Sequence, residues 1–231
     1  MKYNSFSGLR IIAFTALLAI ASNGNKLAAQ QSISFGIHAN PTVGWFSSDN
    51  NTVKSKGARA GINFGLTLNK YFADNYAIST GISLISVGGS LAHNDSITLK
   101  LNKPTGVSAG GKVMYNIEYL VLPIGLKLKS NQIGYITLFA DLGLDPKLTL
   151  GGKVKIPSLD ISKEKANSEL KNVSMGYHAT GGIEYSLGGS SAVVVGINFE
   201  SNFTDITKDT NGQPNDKILH KMFGLFLGFH F

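Results

Sequence analysis

Apolar and polar residues alternate along most of the chain after residue 30, with a period of two. This is the pattern of β-strands that present one apolar face and one polar face. Clusters of Gly, Asn, Asp and Ser separate the alternating stretches, as turns would. The pattern predicts eight strands, at residues 33–45, 61–69, 76–84, 113–128, 136–144, 177–185, 193–203 and 223–231.

The last of these strands is the most informative, because its alternation runs to the carboxyl terminus. Its apolar positions are Phe223, Leu225, Leu227, Phe229 and Phe231. A terminal strand with one apolar face is typical of transmembrane β-barrels, in which that face contacts lipid. We expect this strand to close the barrel against residues 33–45 and to be engaged by the barrel-assembly machinery.

The connections between the strands alternate in length. Those at residues 72–75, 130–134 and 186–191 are short, and those at 47–58, 87–111, 146–173 and 205–218 are long. Transmembrane barrels have short periplasmic turns and longer extracellular loops. The predicted fold class is therefore all-β: an eight-stranded antiparallel up-and-down transmembrane β-barrel with four long extracellular loops. A soluble lipocalin-like barrel is the alternative, in which the apolar residues would face inward.

Aromatic residues near the strand ends favour the membrane barrel, since such residues form girdles at the two lipid interfaces. The candidates for this role are Trp45, Tyr71, Tyr76, Tyr135 and Tyr185.

Polar residues on the opposite strand faces favour it too, because a soluble core could hold so many of them only at a high desolvation cost. The predicted polar network of the lumen comprises Glu118, Asp141, His178, Asn198 and Glu200. If Tyr185 pairs with Val193, His178 falls opposite Glu200, with Asp141 at a similar height on the neighbouring strand. We expect a structural network; an acid–base site of a lipid-modifying enzyme is the alternative.

Two local features carry further predictions. The apolar set changes phase at Leu122-Pro123, which predicts a β-bulge in the fourth strand. In the third long connection, residues 160–172 have the pattern of a short helix with Asp160 as its cap. The lysines of this connection could contact lipopolysaccharide phosphates, although a solvated charged loop is also consistent with them.

The amino terminus has the features of a secretory signal for export by the Sec route. Lys2 and Arg10 form a basic segment before the apolar run 11–21, which is too short to span a bilayer. Cleavage is expected after Ala29, with Ala21 as the alternative site. The predicted organisation is a signal peptide at 1–29 and an outer-membrane barrel domain at 30–231 of a Gram-negative cell.

Composition excludes several classes of function. The chain has no cysteine, and without the predicted signal its net charge falls from +7 to +4, which is too weak to indicate nucleic-acid binding. No nucleophile motif, metal-ligand spacing or phosphate loop is present. The sequence therefore predicts no catalytic residue, no metal and no cofactor, and the chain is not expected to be an enzyme.

Three segments resemble the PorT-like outer-membrane barrels of Bacteroidetes. They are residues 117–129, with the sequence Ile-Glu-Tyr-Leu-Val-Leu-Pro-Ile at its start, residues 182–190 with the following Asn202-Phe203-Thr204-Asp205, and the terminal strand. The resemblance implies a small eight-stranded barrel of the OmpA/OmpX type. A named member of that family is associated with protease secretion across the outer membrane, and the resemblance implies no catalytic residues.

The leading functional prediction is a structural or interaction protein of the cell envelope, linked to protein secretion as in the PorT-like family. Transport of small solutes through a narrow porin-like channel is the first alternative, and a lipid-modifying enzyme is the second. The expected partners are outer-membrane lipid and lipopolysaccharide, the barrel-assembly machinery, and proteins of the envelope or of secretion. The oligomeric state and the ligand stay open.

Overall fold

A computed structural model describes residues 33–49, 53–101, 104–208 and 217–231, and the predicted signal peptide lies outside them. Nearly all of the described chain is β-strand. The strands are β1 (Ile33–Ser48), β2 (Val53–Ala73), β3 (Tyr76–His93), β4 (Ile97–Lys100), β5 (Pro104–Val107), β6 (Lys112–Val121), β7 (Ile124–Lys129), β8 (Ile136–Ile156), β9 (Ile161–Lys165), β10 (Val173–Gly188), β11 (Ser191–Asn202) and β12 (Ile218–His230). No helix among these residues is long and apolar enough to cross a membrane.

The antiparallel pairings close the sheet into a barrel with eight walls. β1 pairs with β2, β2 with β3, and β3 with both β6 and β7, which together make one wall. That wall pairs with β8, and the order continues through β10, β11 and β12. β12 then pairs with β1, with Phe229 opposite Ile37, so the closure predicted for the terminal strand is confirmed.

An apolar belt surrounds one part of this barrel. Side chains that point outward there are exposed and almost all apolar, including Ile37, Phe64, Ile82, Leu126, Leu142, Ile183, Val195 and Leu225. Inward positions in the same strands are buried and mostly polar or small. This arrangement fits lipid on the outside and a polar lumen inside, as in transmembrane barrels. The tight turns, together with residues 33 and 231, lie at the periplasmic end.

Beyond the belt, the predicted long extracellular connections are mostly folded. β2, β3, β6 and β8 continue past the belt, β4 and β5 form a hairpin, and β9 pairs with β8. We call this region the cap; it comprises the strand ends beyond the belt, the β4–β5 hairpin, and residues 157–172 and 205–208.

The helix predicted for residues 160–172 is wrong. The chain makes one 3-10 turn at Pro157–Leu159 and then enters strand β9. Asp160 and Lys163 have φ angles of 55° and 62°. These left-handed conformations are incompatible with a right-handed helix.

The face of the strands that carries the apolar side chains changes where the strands leave the belt. It is the outward face within the belt and the inward face in the cap. On β6 the inward residues Tyr115, Ile117 and Tyr119 are buried and apolar or aromatic. On β7 the outward residues Ile124 and Leu126 are the apolar ones. The phase change in the sequence therefore marks the edge of the membrane belt.

The β-bulge predicted at Leu122-Pro123 is absent. Ser83 pairs with Val121 and Thr80 pairs with Ile124, so three residues separate the pairs on each strand. The pairing with β8 is equally regular, with Val121 opposite Lys147 and Ile124 opposite Leu144. Pro123 interrupts the strand only because it has no N–H to donate.

The cap has a hydrophobic core of its own, which lies inside the barrel wall. Its members come from the outer strand ends, from the β4–β5 hairpin and from the long connections: Phe46, Val53, Ile85, Val87, Leu91, Ile97, Leu99, Leu101, Val107, Val113, Tyr115, Ile117, Tyr119, Val121, Val154, Ile156, Ala166, Leu170, Ile206, Ile218 and Met222. Burial of these side chains stabilises the cap by the hydrophobic effect, as in a small soluble domain. The core forms a roof over the polar lumen.

Candidate functional site in the barrel lumen

Charged and polar side chains fill the lumen within the apolar belt. The cavity left between them has a volume of about 70 Å³. That volume holds a few water molecules. Ile85 and Val121 line the outer end of the cavity and also belong to the cap core, so the cavity ends at that core.

His178 on β10 lies between two carboxylates of β8. Its Nδ1 is 2.7 Å from Asp145 Oδ1, and its Nε2 is 3.5 Å from Asp141 Oδ1. Both ring nitrogens donate to carboxylates only when the imidazole is protonated, so His178 acts as a cation here. Gly143 makes room for the ring, because a Cβ at that position would lie 2.6 Å from His178 Cε1.

Glu200 on β11 is the centre of a second set of contacts, which crosses the lumen. Lys147 Nζ donates to Glu200 Oε2 at 3.1 Å, and Asn63 Nδ2 donates to Glu200 Oε1 at 3.3 Å. The contacts continue from Asn63 Oδ1 to His38 Nε2 at 3.2 Å, and from His38 Nε2 to Ser83 Oγ at 3.4 Å. These side chains tie together walls that are not neighbours in the sheet.

Glu184 on β10 forms the third set, near the periplasmic mouth. Lys127 Nζ lies 2.6 Å from Glu184 Oε1, and Lys129 Nζ lies 2.7 Å from Glu184 Oε2. His230 Nδ1 lies 3.5 Å from Glu184 Oε1. The Lys127 ammonium also lies 4.9 Å from the ring centroid of Phe139, a cation–π contact.

Four of the five residues predicted for the lumen network point inward. Register pairs His178 with Glu200 and Tyr185 with Val193, as predicted. However, His178 bonds the two β8 carboxylates and Glu200 bonds Lys147, so the opposed pair is not itself bonded among the described contacts. Asn198 donates from Nδ2 to Thr180 Oγ1 at 2.8 Å, apart from the charged groups.

Glu118 does not belong to the lumen, so that prediction is wrong. Its side chain is half exposed on the outer surface of the cap, 4.0 Å from Lys153 Nζ. The prediction failed because Glu118 alternates with the apolar residues of β6, and in the cap it is the apolar face that points inward.

Four of the five predicted interfacial aromatics lie near the ends of the belt, and the fifth lines the lumen. Tyr76, Tyr135 and Tyr185 are exposed near the periplasmic end, and Trp45 stacks on Phe223 near the outer edge of the belt, with 6.0 Å between ring centroids. Tyr71 is the exception. It lines the periplasmic mouth, where the Lys129 ammonium lies 5.3 Å from its ring centroid. Its partner is a lumen cation, so its assignment to the lipid interface is wrong.

Five charged lumen residues were not in the predicted network. Lys127 and Glu184 lie on polar strand faces that the alternation had marked as inward, whereas Lys129, Asp145 and Lys147 were not assigned to the lumen. A signal was available, since Asp141, Gly143, Asp145 and Lys147 follow one another at period two. Residues 146–173 had been assigned to a loop, and this hid the continuation of the strand. β8 in fact runs to Ile156.

The chemistry of the lumen is that of a balanced ionic network. The carboxylates of Asp141, Asp145, Glu184 and Glu200 face the cations of Lys127, Lys129, Lys147 and His178. Such groups are stable in a closed space only when they satisfy one another. Within the described part of the chain, no cluster of three or more His, Asp or Glu residues is arranged to hold a metal ion.

The fold is similar to that of known outer-membrane proteins. The crystal structure of Neisserial surface protein A gives a TM-score of 0.51 at 9% identity, over 86% of this chain and 95% of that chain. OprG from Pseudomonas aeruginosa gives 0.45 at 12% identity, over 89% and 98% of the two chains. The outer membrane protease OmpT from Escherichia coli gives 0.43 at 9% identity, over 91% and 99%. At this identity the match to Neisserial surface protein A carries information about the fold alone, and the two matches with scores below 0.5 carry no argument.

The sequence comparison gives the family. No curated protein sequence matches at a significant level. The family described as outer membrane protein beta-barrel domain matches residues 28–208, which is most of the chain. Together with the closed barrel and its apolar belt, this match shows that the chain belongs to the outer membrane protein β-barrel domain family.

Proposed function

We propose that this protein is a closed, non-conducting barrel of the outer membrane and that its cap provides contacts for other envelope components. One observation carries the proposal: the hydrophobic core of the cap forms a roof over the polar lumen. A channel needs a continuous polar path, and here an ion would have to enter an apolar core at a large desolvation cost.

The ionic network supports the same conclusion for the belt region. Lys147, Glu200 and Asn63 connect opposite parts of the wall and occupy the centre of the lumen. A passing solute would have to break contacts between buried charges, each of which is expensive to leave unpaired. Transport of small solutes, the first alternative, is therefore disfavoured.

The second alternative, a lipid-modifying enzyme, is disfavoured by the position of the acid–base groups. His178 and Glu200 point into the lumen, whereas a lipid substrate would lie against the outer surface. The cavity beside them holds only a few waters, and an acyl chain is far larger.

We further propose that the protein takes part in protein secretion, and this proposal rests on the resemblance to PorT-like barrels. Because the barrel is closed, the role we propose is that of an anchor: the barrel holds the cap at the cell surface beside a translocating assembly. The periplasmic mouth offers a second contact surface, with a polar cavity of about 270 Å³ lined in part by Tyr71, Lys129 and Glu184.

Conductance in planar bilayers tests the closed state. Purified protein should insert without producing discrete current steps, while a known porin reconstituted in the same way should produce them. Insertion is verified by protease protection of the belt strands. Reproducible steps from inserted, folded protein would contradict a closed barrel.

Site-specific photo-crosslinking in intact cells tests the role of the cap. A crosslinking residue at Gly106, in the exposed β4–β5 hairpin, should give a reproducible adduct with an envelope protein. Leu142, exposed in the lipid-facing belt, is the matched control position. Only uncrosslinked monomers from Gly106 and from further exposed cap positions would contradict an interaction role.

A further inference from the structure

An apolar groove lies on the lipid-facing wall, at the outer edge of the belt. It has a volume of about 330 Å³, and almost all of its lining is apolar. The outward side chains around it are Ile82, Leu120, Leu122, Pro146, Leu148 and Val173. Pro146 has a short ring between Leu144 and Leu148 on the same face of β8, which makes a depression between longer side chains.

Basic residues lie directly above this groove on the same strand. Lys153 and Lys155 point outward from β8 and are exposed, and Lys165 on β9 pairs opposite Lys153 in the register. Directly opposed like charges destabilise a sheet unless an anion lies between them. In the described structure the carboxylate that reaches this group is Glu118, at 4.0 Å from Lys153.

The distance between the groove and the lysines matches the distance between the acyl chains and the headgroup of a lipid. Lys153 lies five positions after Leu148, but β8 bulges between them, because their partners Asn116 and Leu120 on β6 are only four positions apart. Four steps of about 3.3 Å give roughly 13 Å along the strand, and about 10 Å along the membrane normal for a strand tilt of about 40°. Lysine side chains extend toward the interface from such a height. An acyl chain in the groove would therefore place its headgroup beside the lysines.

We propose that this face of the barrel binds a phosphorylated, acylated glycolipid of the outer leaflet. One acyl chain lies against Leu122 and Leu148, and a phosphate lies between Lys153 and Lys165. The inference goes beyond the proposed function, since it holds for a conducting barrel as well as for a silent one. Each lysine contributes modestly, by about tenfold or less in affinity, so the site depends on the cluster and the groove together.

Binding of purified, folded barrel to bis-phosphorylated lipid A in detergent tests the proposal. Native mass spectrometry can follow the titration. The expected result is binding that weakens at least tenfold when the lipid is dephosphorylated. Inorganic phosphate at the same concentrations should neither bind nor compete, which separates a lipid site from a simple anion site.

Two variants with matched controls locate the site. K153E/K165E should weaken binding of lipid A by tenfold or more, whereas K54E/K56E makes the same charge change on β2, across the cap, and should leave binding unchanged. L148W fills the groove and should weaken binding, whereas L225W adds an indole on the opposite wall and should not. Folding of each variant is verified by far-UV circular dichroism.

Equal weakening by K153E/K165E and K54E/K56E would overturn the proposal and indicate general charge attraction. Equal affinity for phosphorylated and dephosphorylated lipid, or displacement by inorganic phosphate, would overturn it too. These results are independent of the conductance measurement, so failure of the lipid site can be distinguished from failure of the closed barrel.

Discussion

Lys147 and Glu200 form an ion pair inside the membrane-spanning part of the barrel, with 3.1 Å between Nζ and Oε2. Both side chains are almost completely buried, at 1% and 5% exposure. Lys147 lies on β8 and Glu200 lies on β11, and these strands are not neighbours because β10 lies between them. The pair therefore acts as a strut between β8 and β11, on the lumen side of β10.

Removing one partner of this strut should lower the stability of the barrel. Lys147→Met leaves the Glu200 carboxylate buried without its cation, and we expect a loss of about 3–5 kcal/mol in the free energy of unfolding. Urea unfolding in detergent or lipid measures it. The double variant K147M/E200Q removes both charges and should recover part of the loss. A single variant as stable as wild type would show that the pair is not a strut.

Much of the fold could be predicted from alternation because lipid and lumen impose opposite chemistry on the two faces of a strand. The eight walls and their closure by β12 followed from period-two patterns, such as Phe223 and Leu225 on either side of Gly224. The cap could not be predicted in this way. There the inside is apolar, so the same rule assigned Glu118 to the lumen and Ile117 to the lipid.

The inverted chemistry of the cap gives a prediction for these two adjacent residues. Ile117 is 1% exposed in the cap core, whereas Glu118 is half exposed on the surface. Ile117→Ala should destabilise the cap by about 2–5 kcal/mol. Glu118→Ala should change the stability of the cap by less than about 0.5 kcal/mol, because it is a surface substitution.

Hydrogen exchange of the outer ends of β3 and β6 measures both variants of this pair. Faster exchange in I117A but not in E118A is the expected outcome. The reverse order would mean that β6 faces the other way and that its apolar side contacts lipid, as the alternation in the sequence first indicated.

The charged network was only partly predictable, because the end of β8 was not recognised in the sequence. His178 and Glu200 lie in the middle of well-marked strands, and their register followed from the turn at 186–191. Asp145 and Lys147 flank Pro146, which usually ends or interrupts a strand. Here Pro146 faces lipid and β8 continues through it, so the predicted strand ended before Asp145 and Lys147 was assigned to a loop.

A glycine beneath His178 gives a third prediction. A Cβ at Gly143 would lie 2.4 Å from Ile124 O and 2.6 Å from His178 Cε1. Gly143→Ala therefore has to displace either the wall or the imidazole, and we expect a loss of about 1–3 kcal/mol. Gly181→Ala is the matched control, since the nearest atom to its Cβ would be Phe139 O at 3.8 Å.

The two glycine variants can be compared by urea unfolding and by the ring signals of His178 in NMR spectra. G143A should lower stability and shift these signals, and G181A should leave both close to wild type. If G143A unfolds like wild type with unchanged His178 signals, the close packing of β7, β8 and the imidazole is wrong.

The buried histidines of the cap predict a dependence of cap stability on pH. His220 lies beyond the belt with its ring packed against Phe46, at 5.9 Å between centroids, and neither ring nitrogen has a hydrogen-bond partner among the described residues. Burial, with a smaller effect of the Lys147 charge, holds the pKa of His220 well below its usual value. Burial also lowers the pKa of His93.

A lowered pKa in the folded cap means that the unfolded cap binds the proton more readily. Stability should therefore be constant above about pH 6.5 and fall as the pH drops below it, by up to about 1.4 kcal/mol per pH unit for each histidine. Hydrogen exchange of the outer end of β12, corrected for the intrinsic pH effect, measures this fall. H220L should reduce the slope and H93L/H220L should reduce it further, because leucine binds no proton at these positions. A wild-type cap that becomes more protected on acidification would contradict the buried, neutral state of these rings.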